Sequence, residues 1–582
     1  MKQFFYSALF LILFSCAQQT SPTGGPKDEE APELVSSNPA NKATDFKGNQ
    51  LELSFSEFIQ LDKPKEQIII SPTVKEVETS YRRNIVSLVF KSPLADSTTY
   101  TISFREAVKD LTERNPAVNL KLAFSTGPYL DSLSIEGNVF DLLTIKPMSD
   151  ITVALHTEND TFNIFKHKAD YFTKADANGL FKIENLKATT FYLYAFQDKN
   201  KNLIVDGRNE RYGFKAEKIQ LTKNVTGINL PLIALDSRPL KLISARPSQN
   251  NFLIKANKGI KDYTVTIDKN TSPVYTRGDD NSSIKIYQNM EVLDSLQARV
   301  QISDSLDNKI DTLIYLKFNP KKEDMKLDKF SVQFEKPTIL EKTDQLSLRF
   351  KFNKPINTIV YDSIYFIVDS LTRYVVKPEE IKVDTANLSG HLTKKLPKIK
   401  IEAPKNIVEN QPKLSKDEKR EIQKTIRDTT KVLVKLNELR FEKGAIISFD
   451  LDSSAYSSQK ATYYKEEDLA ITLVETSVTA PNFYIEILNS QGKVIQTSRS
   501  EKKITFKDLQ PDEYQLRLVI DKNNNGKWDP GNYYKREEPE SVYYYFDEKG
   551  NTKFNLKANW EYGPLLIKEE YPVNNLGTNP KK

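Results

Sequence analysis

The sequence predicts an all-β protein, a run of tandem β-sandwich modules behind an export segment. Three observations predict it. Apolar and polar residues alternate in short runs: Leu51-Glu52-Leu53-Ser54-Phe55 sets three apolar side chains on one face, and Ile85 to Phe90 and Tyr100 to Phe104 do the same. Turn signals separate the runs, at Asn38-Pro39, Ser71-Pro72, Ser92-Pro93 and Asn115-Pro116. Helical periodicity is nearly absent. Short strands punctuated in this way argue for sandwiches.

The first element is the N-terminus. Lys2 precedes a short apolar run from Phe4 to Phe14. A membrane span needs about 20 apolar residues, so this run fits the core of a secretory signal peptide instead. It ends in Leu13-Phe14-Ser15-Cys16, which resembles the lipobox of bacterial lipoproteins. The resemblance implies cleavage before Cys16, acylation of its sulfur and amine, and an outer-membrane lipid anchor on the periplasmic or cell-surface face. Residues 1–15 are then the signal peptide and 16–30 the tether, polar and carrying Pro22, Gly24-Gly25 and Pro26. The alternative is an ordinary signal peptide with a chance cysteine. Buried acyl chains contribute about 0.8 kcal/mol per CH₂, so several would hold the chain firmly.

Composition limits the rest. The chain has 582 residues, 38% of them hydrophobic, enough for several packed cores. Its 84 Lys and Arg against 78 Asp and Glu give a net charge of +6, with no concentrated basic face to suit nucleic acid. Cys16 is the only cysteine, so the exported part has no disulfides. His156, His167 and His391 are far apart in sequence, which argues against a His-based zinc site or a His-dependent triad.

Residues 31–128 form the first module. Ala31-Pro32, Ser37-Asn38-Pro39-Ala40, the strand Leu51 to Glu57, Ile70-Ser71-Pro72, Thr99 to Ile102 and Phe124-Ser125-Thr126-Gly127 resemble the SbsA-type bacterial Ig-like domain. That resemblance implies a cell-surface module without a catalytic role. Pro22 to Asp28 resembles the start of Ig-like lipoproteins from Bacteroidetes.

An internal repeat follows. Glu184-Asn185-Leu186-Lys187 leads through Phe191 to Phe196 into Asp198-Lys199-Asn200-Lys201-Asn202; Lys507-Asp508-Leu509-Gln510 leads through Tyr514 to Leu518 into Asp521-Lys522-Asn523-Asn524-Asn525. The spacing from Leu to the first Asp, and on to Asp206 or Asp529, is the same in both. Both copies resemble the carboxypeptidase regulatory-like domain, a transthyretin-like β-sandwich, over 129–236 and 468–567. A weaker echo joins Gln50 to Phe55 with Gln345 to Phe350, predicting a second Ig-like module at 333–467. A charged insertion at 387–431 interrupts it. Ser415-Lys416-Asp417-Glu418 within the insertion matches a capping box and opens a predicted helix, Lys416 to Arg427. A linking β-module at 237–332 and a tail at 568–582 complete the chain.

Chemistry is sparse. Asp521, Asn523 and Asn525 alternate, Gly526 follows, and Asp529 takes the ninth position. This resembles a calcium loop of EF-hand type, with the carbonyl of Lys527 as a further ligand. Asn532 stands where that family has a bidentate Glu, so Glu537 or Glu538 would have to bend back. The first copy keeps Asp198, Asn200, Asn202 and Asp206 but has Leu203 in the glycine place. A structural calcium pinning a long turn is one reading; a polar hairpin held by Asx turns is the other.

Asp followed by Ser or Thr and an apolar residue recurs at Ser132, Ser295, Thr312, Ser363 and Thr385. This resembles the O-glycosylation tripeptide of Bacteroidetes exported proteins, and equally a polar turn entering a strand. Trp528 and Trp560 are the candidates for stacking on sugars. No carboxylate pair, nucleophile elbow, P-loop or dinucleotide fingerprint is marked out. The expected function is that of a non-enzymatic scaffold lipoprotein contacting envelope proteins, among them β-barrel assembly or transport machinery. The alternative is a surface glycan-binding accessory lipoprotein.

Overall fold

A computed structural model describes residues 28–249, 251–267, 273–288, 295–319, 328–369, 372–397, 420 and 436–571. Cys16 and all but Arg420 of the expected helix lie outside the described residues. The chain is a series of β-sandwich modules grouped into two compact units. The first runs to Leu232 and the second starts at Ile233, with residues 142–145 and 207–209 grouped with the second.

In the first unit, alternation becomes burial. Leu34–Asn38, Gln50–Phe55, Ile85–Phe90 and Val77–Arg82 make one sheet in that order, and Ile69–Ser71, Thr99–Ser103 and Lys121–Ser125 make the facing one. Ile59–Leu61 pairs with Val108–Asp110 between them. Every second residue points inward, so Leu51, Leu53 and Phe55 meet Ile102, Leu122 and Phe124 in one core. Each such side chain contributes about 1.5–3 kcal/mol by leaving water. The Lys121–Ser125 edge is covered by the chain at residues 42–46, through Lys42 N–H to the Ala123 carbonyl at 2.6 Å and Ser125 N–H to Ala43 at 2.8 Å.

The second sandwich of this unit orders Tyr171–Lys174, Thr152–Thr157, Thr190–Phe196, Arg211–Phe214, Val225–Ala234, Leu133–Asp141 and Leu180–Leu186 in one curled sheet. Its first strand, Leu133–Asp141, lies antiparallel to Leu180–Leu186 and parallel to its last, Val225–Ala234. At the register slip in the parallel pair, a Cβ on Gly137 would stand 2.1 Å from the Ile228 carbonyl oxygen; only glycine lets the backbones approach there.

The second unit repeats this pairing. Ala470–Thr476 lies antiparallel to Lys503–Leu509 and parallel to Glu561–Ile567, while Val494–Arg499, Phe483–Leu488, Asp512–Ile520 and Val542–Tyr544 form the facing sheet. Here the glycine is on the last strand: a Cβ on Gly563 would stand 2.3 Å from the Leu473 carbonyl oxygen.

Between Ile233 and this sandwich are two further β-modules. In one, Leu242–Ser248, Asn251–Ala256, Ser283–Tyr287 and Val274–Arg277 pack against Asp262–Ile267, Leu296–Ser303 and Lys309–Leu316. In the other, Thr338–Leu340, Gln345–Phe352, Ser389–Lys395 and Ile381–Asp384 form the sheet that Leu34 to Phe90 forms in the first module. Ile364–Ile367, Glu438–Phe441 and Ser457–Lys460 face it, and Ile356–Ile359 pairs with Ile446–Ser448.

This corrects one boundary. Ser389–Lys395, expected to open the charged insertion, is a core strand paired on both sides. Its Lys394 misleads because the residue is buried: its ammonium lies 2.9 Å from a Glu380 carboxylate oxygen and 2.9 Å from the Val375 carbonyl.

Candidate functional site

The matched Asp/Asn loops are the best-built polar features of the two sandwiches that begin at Leu133 and Ala470. In the second, Asp521 ends the long Asp512–Ile520 strand and is buried at 3% exposure. One of its carboxylate oxygens accepts from Asn525 N–H at 3.0 Å, the other from Gly526 N–H at 2.8 Å. Asn523 accepts from Asn525 N–H at 3.1 Å, and Asn525 from Lys527 N–H at 2.7 Å. These are nested Asx turns, in which side chains of the loop bond the loop's own backbone.

The first loop is wound the same way. Asp198 accepts from Asn202 and Leu203 N–H, both at 3.1 Å, Asn200 from Asn202 N–H at 3.2 Å, and Asn202 from Ile204 N–H at 2.7 Å. Leu203 adopts φ 61° where Gly526 has φ 72°. The left-handed backbone is therefore retained when the glycine is lost, at a steric cost for leucine.

A glutamate that the sequence does not mark holds each loop. Glu540 accepts from Lys522 N–H at 2.7 Å and Asp529 N–H at 3.0 Å; Glu210 accepts from Lys199 and Asp206 N–H, both at 2.8 Å. Both glutamates are buried, at 3% and 2% exposure. Burial pushes both carboxyls up, and the neighbouring aspartates push the same way: Asp529 and Asp521 for Glu540, Asp198 and Asp206 for Glu210. Spacing hid these residues, because Glu210 follows Asp206 closely whereas Glu540 lies much further beyond Asp529.

Asn532 does not face the loop interior. It caps the 3₁₀ turn Tyr533–Lys535 through Tyr534 N–H at 2.9 Å and donates to the Leu306 carbonyl at 3.2 Å. The Asn523 and Asn525 amides converge on one oxygen of Asp529, at 2.6 and 2.8 Å. A hard cation at that point would need both amides turned over, at the cost of the bonds their oxygens now accept from the Asn525 and Lys527 N–H groups. Among the described residues, no three His, Cys, Asp or Glu side chains gather as a metal-holding group.

The other candidate residues are dispersed. Ser132, Ser295 and Thr385 are exposed; Ser363 sits half-buried in the 3₁₀ turn Tyr361–Ser363, and Thr312 lies within Lys309–Leu316 opposite Val300. Trp528 is half-buried and donates its indole N–H to the Glu540 carbonyl at 2.9 Å. Trp560 is 41% exposed, with the Lys557 ammonium 5.1 Å from its ring centre. His156 and His167 flank Phe162, at 4.0 and 6.1 Å between ring centres, while His391 contacts the Ser347 hydroxyl at 2.9 Å.

A groove of about 890 Å³ in the first module, marked by no motif, is lined by Asp28, Glu30, Glu33, Glu57, Val118 and Lys121 among others. Burial and the nearby Asp110, Asp28, Glu113 and Glu30 carboxylates push the Glu57 carboxyl up.

Residues 28–126 match the family model of a bacterial Ig-like domain. No curated protein matches the chain. Among solved structures it is similar to the Bacillus anthracis TIE protein, at 9% identity and a TM-score of 0.12, covering 94% of this chain and 75% of that one. It is also similar to the S-layer protein rSbsC, at 10% identity and a TM-score of 0.13, covering 84% and 65%. A third is BcpA, the major pilin subunit of Bacillus cereus, at 10% identity and a TM-score of 0.12, covering 75% and 99%. Likeness at these scores carries no functional weight.

Proposed function

We propose that this chain is a non-enzymatic, lipid-anchored scaffold of the outer membrane, tethered through Cys16, whose sandwich modules present surfaces to other envelope proteins. The observation that carries this reading is repetition. One sandwich pairing, with one self-wound Asp/Asn loop and one buried glutamate anchor, occurs in both units. A duplicated module whose polar loop is spent on its own backbone suits spacing and presentation. The carboxylates of the first module's groove favour a partner segment carrying Lys or Arg.

Affinity capture of the full chain from detergent-solubilised membranes tests this. A stoichiometric β-barrel partner, or its assembly or transport machinery, supports the scaffold. Saturable binding on a glycan array without a protein partner would replace it with the surface glycan-binding reading. Protease treatment of whole cells then assigns the periplasmic or outer face.

A further inference from the structure

The most buried ion pair among the described residues is outside the paired loops. Lys258 follows the Asn251–Ala256 strand, and Asp304 opens the turn between Leu296–Ser303 and Lys309–Leu316. Their side chains are 3% and 1% exposed, and the Lys258 ammonium touches one carboxylate oxygen of Asp304, Oδ2. The other oxygen, Oδ1, accepts from Leu306 N–H at 2.8 Å and Asn308 N–H at 2.9 Å. The Asn308 amide donates to Oδ2 at 2.8 Å, and the Lys258 ammonium also donates to the Asp236 carbonyl at 3.1 Å.

We propose that Lys258 and Asp304 are joined by an isopeptide bond that the folded chain forms on itself. Two opposite charges held out of water are costly, and an amide removes both. In the reaction the ammonium passes one proton to Oδ2, leaving a neutral amine beside a neutral carboxylic acid. Nζ then adds to Cγ. The negative charge of the tetrahedral adduct gathers on Oδ1, where two backbone N–H groups already point. The C–Oδ2 bond breaks, and Oδ2 leaves as water with a second proton from Nζ. Ammonium and carboxylate become amide and water, with no oxidant or cofactor needed. Fixing both groups in contact supplies the proximity, worth effective concentrations of about 10⁵–10⁸ M for well-oriented pairs. The bond would staple the Asn257–Gly259 bend to the Asp304–Asn308 turn across the module.

Peptide mapping of the denatured full-length protein tests this. Trypsin should fail to cut after Lys258 and release residues 256–261 joined to residues 300–309, lighter by one water than the two peptides together. Asp304→Ala should abolish the branched species. Stoichiometric recovery from the unmutated protein of the peptide ending at Lys258, with linear 300–309, overturns the proposal. That reading is made on the unmutated chain, so it stands whether or not the variant folds.

Discussion

Gly390 and Phe350 sit directly opposite each other on paired strands, and a Cβ on Gly390 would stand 2.2 Å from the Phe350 ring. The ring lies over the bare backbone of its neighbour and is itself 1% exposed, wedged among Leu348, Phe441 and other core residues. It has no free direction in which to swing. Gly390→Ala is expected to destabilise this module by about 1–3 kcal/mol, the usual range for overpacking a core. Calorimetry of the full chain would read this as a lowered transition; an unchanged trace would mean the ring can yield.

Glu540→Ala takes the acceptor from Lys522 and Asp529 N–H together. A buried donor left unmatched costs about 1–3 kcal/mol, so this variant should melt lower than Glu540→Gln, which keeps one carbonyl oxygen. Burial, joined by Asp529 and Asp521, raises the folded pKa of Glu540 above its unfolded value. Its proton therefore stabilises the fold increasingly as pH falls through the folded pKa, and ionisation above it costs stability. Melting temperature against pH should lose this component in Glu540→Gln; an identical profile counts against the buried-anchor account.

Asp110 behaves oppositely. Burial pushes its pKa up, but N–H groups of Arg114, Asn115, Glu113 and Thr112 at 2.7–2.9 Å outweigh that and lower it. Its stabilisation is complete above the unfolded value of about 3.9 and is lost as pH falls through the folded pKa. Asp110→Asn should cost about 1.5–3 kcal/mol at neutral pH and flatten the acid limb of unfolding. Circular dichroism across an acid titration would check both.

For the calcium reading, millimolar calcium should raise the melting temperature of the full chain. Asp529→Ala should abolish the rise, because Asn523 and Asn525 converge on Asp529. Loss of the effect in the variant alone is the informative outcome; no rise in the unmutated protein ends the calcium reading and leaves the Asx turns.

Cys16→Ser should move the protein from the membrane fraction into the soluble fraction and block processing at that position. Fractionation and N-terminal mass measurement would check this. Membrane association unchanged in the variant would remove the anchor on which the proposed location depends.

The fold was legible wherever one strand face is apolar and the other polar. Leu51, Leu53 and Phe55 show this pattern, and all three are buried at 2% exposure or less. Ser389–Lys395 was not legible, because its inward positions are Gly390, Leu392 and Lys394, and nothing local reveals that Glu380 waits for the lysine. The Asp/Asn loops could be read because Asx turns are local. Their glutamate anchors could not, since Glu210 closes on Asp206 from nearby while Glu540 reaches Asp529 from much further along the chain, so the two copies share no spacing. The Lys258–Asp304 pair was hidden for the same reason: contact between a bend and a remote hairpin leaves no periodic trace.

In the two sandwiches that begin at Leu133 and Ala470 the first and last strands run parallel and side by side. Tension applied at the two ends of such a module drags those strands past each other lengthwise, so their ladder is loaded in shear along its whole length. A hairpin pulled from its open end would instead unzip one bond at a time. If the chain is held at one end by lipid and at the other by a partner, these two sandwiches resist as units, because no rung of the ladder can part before its neighbours.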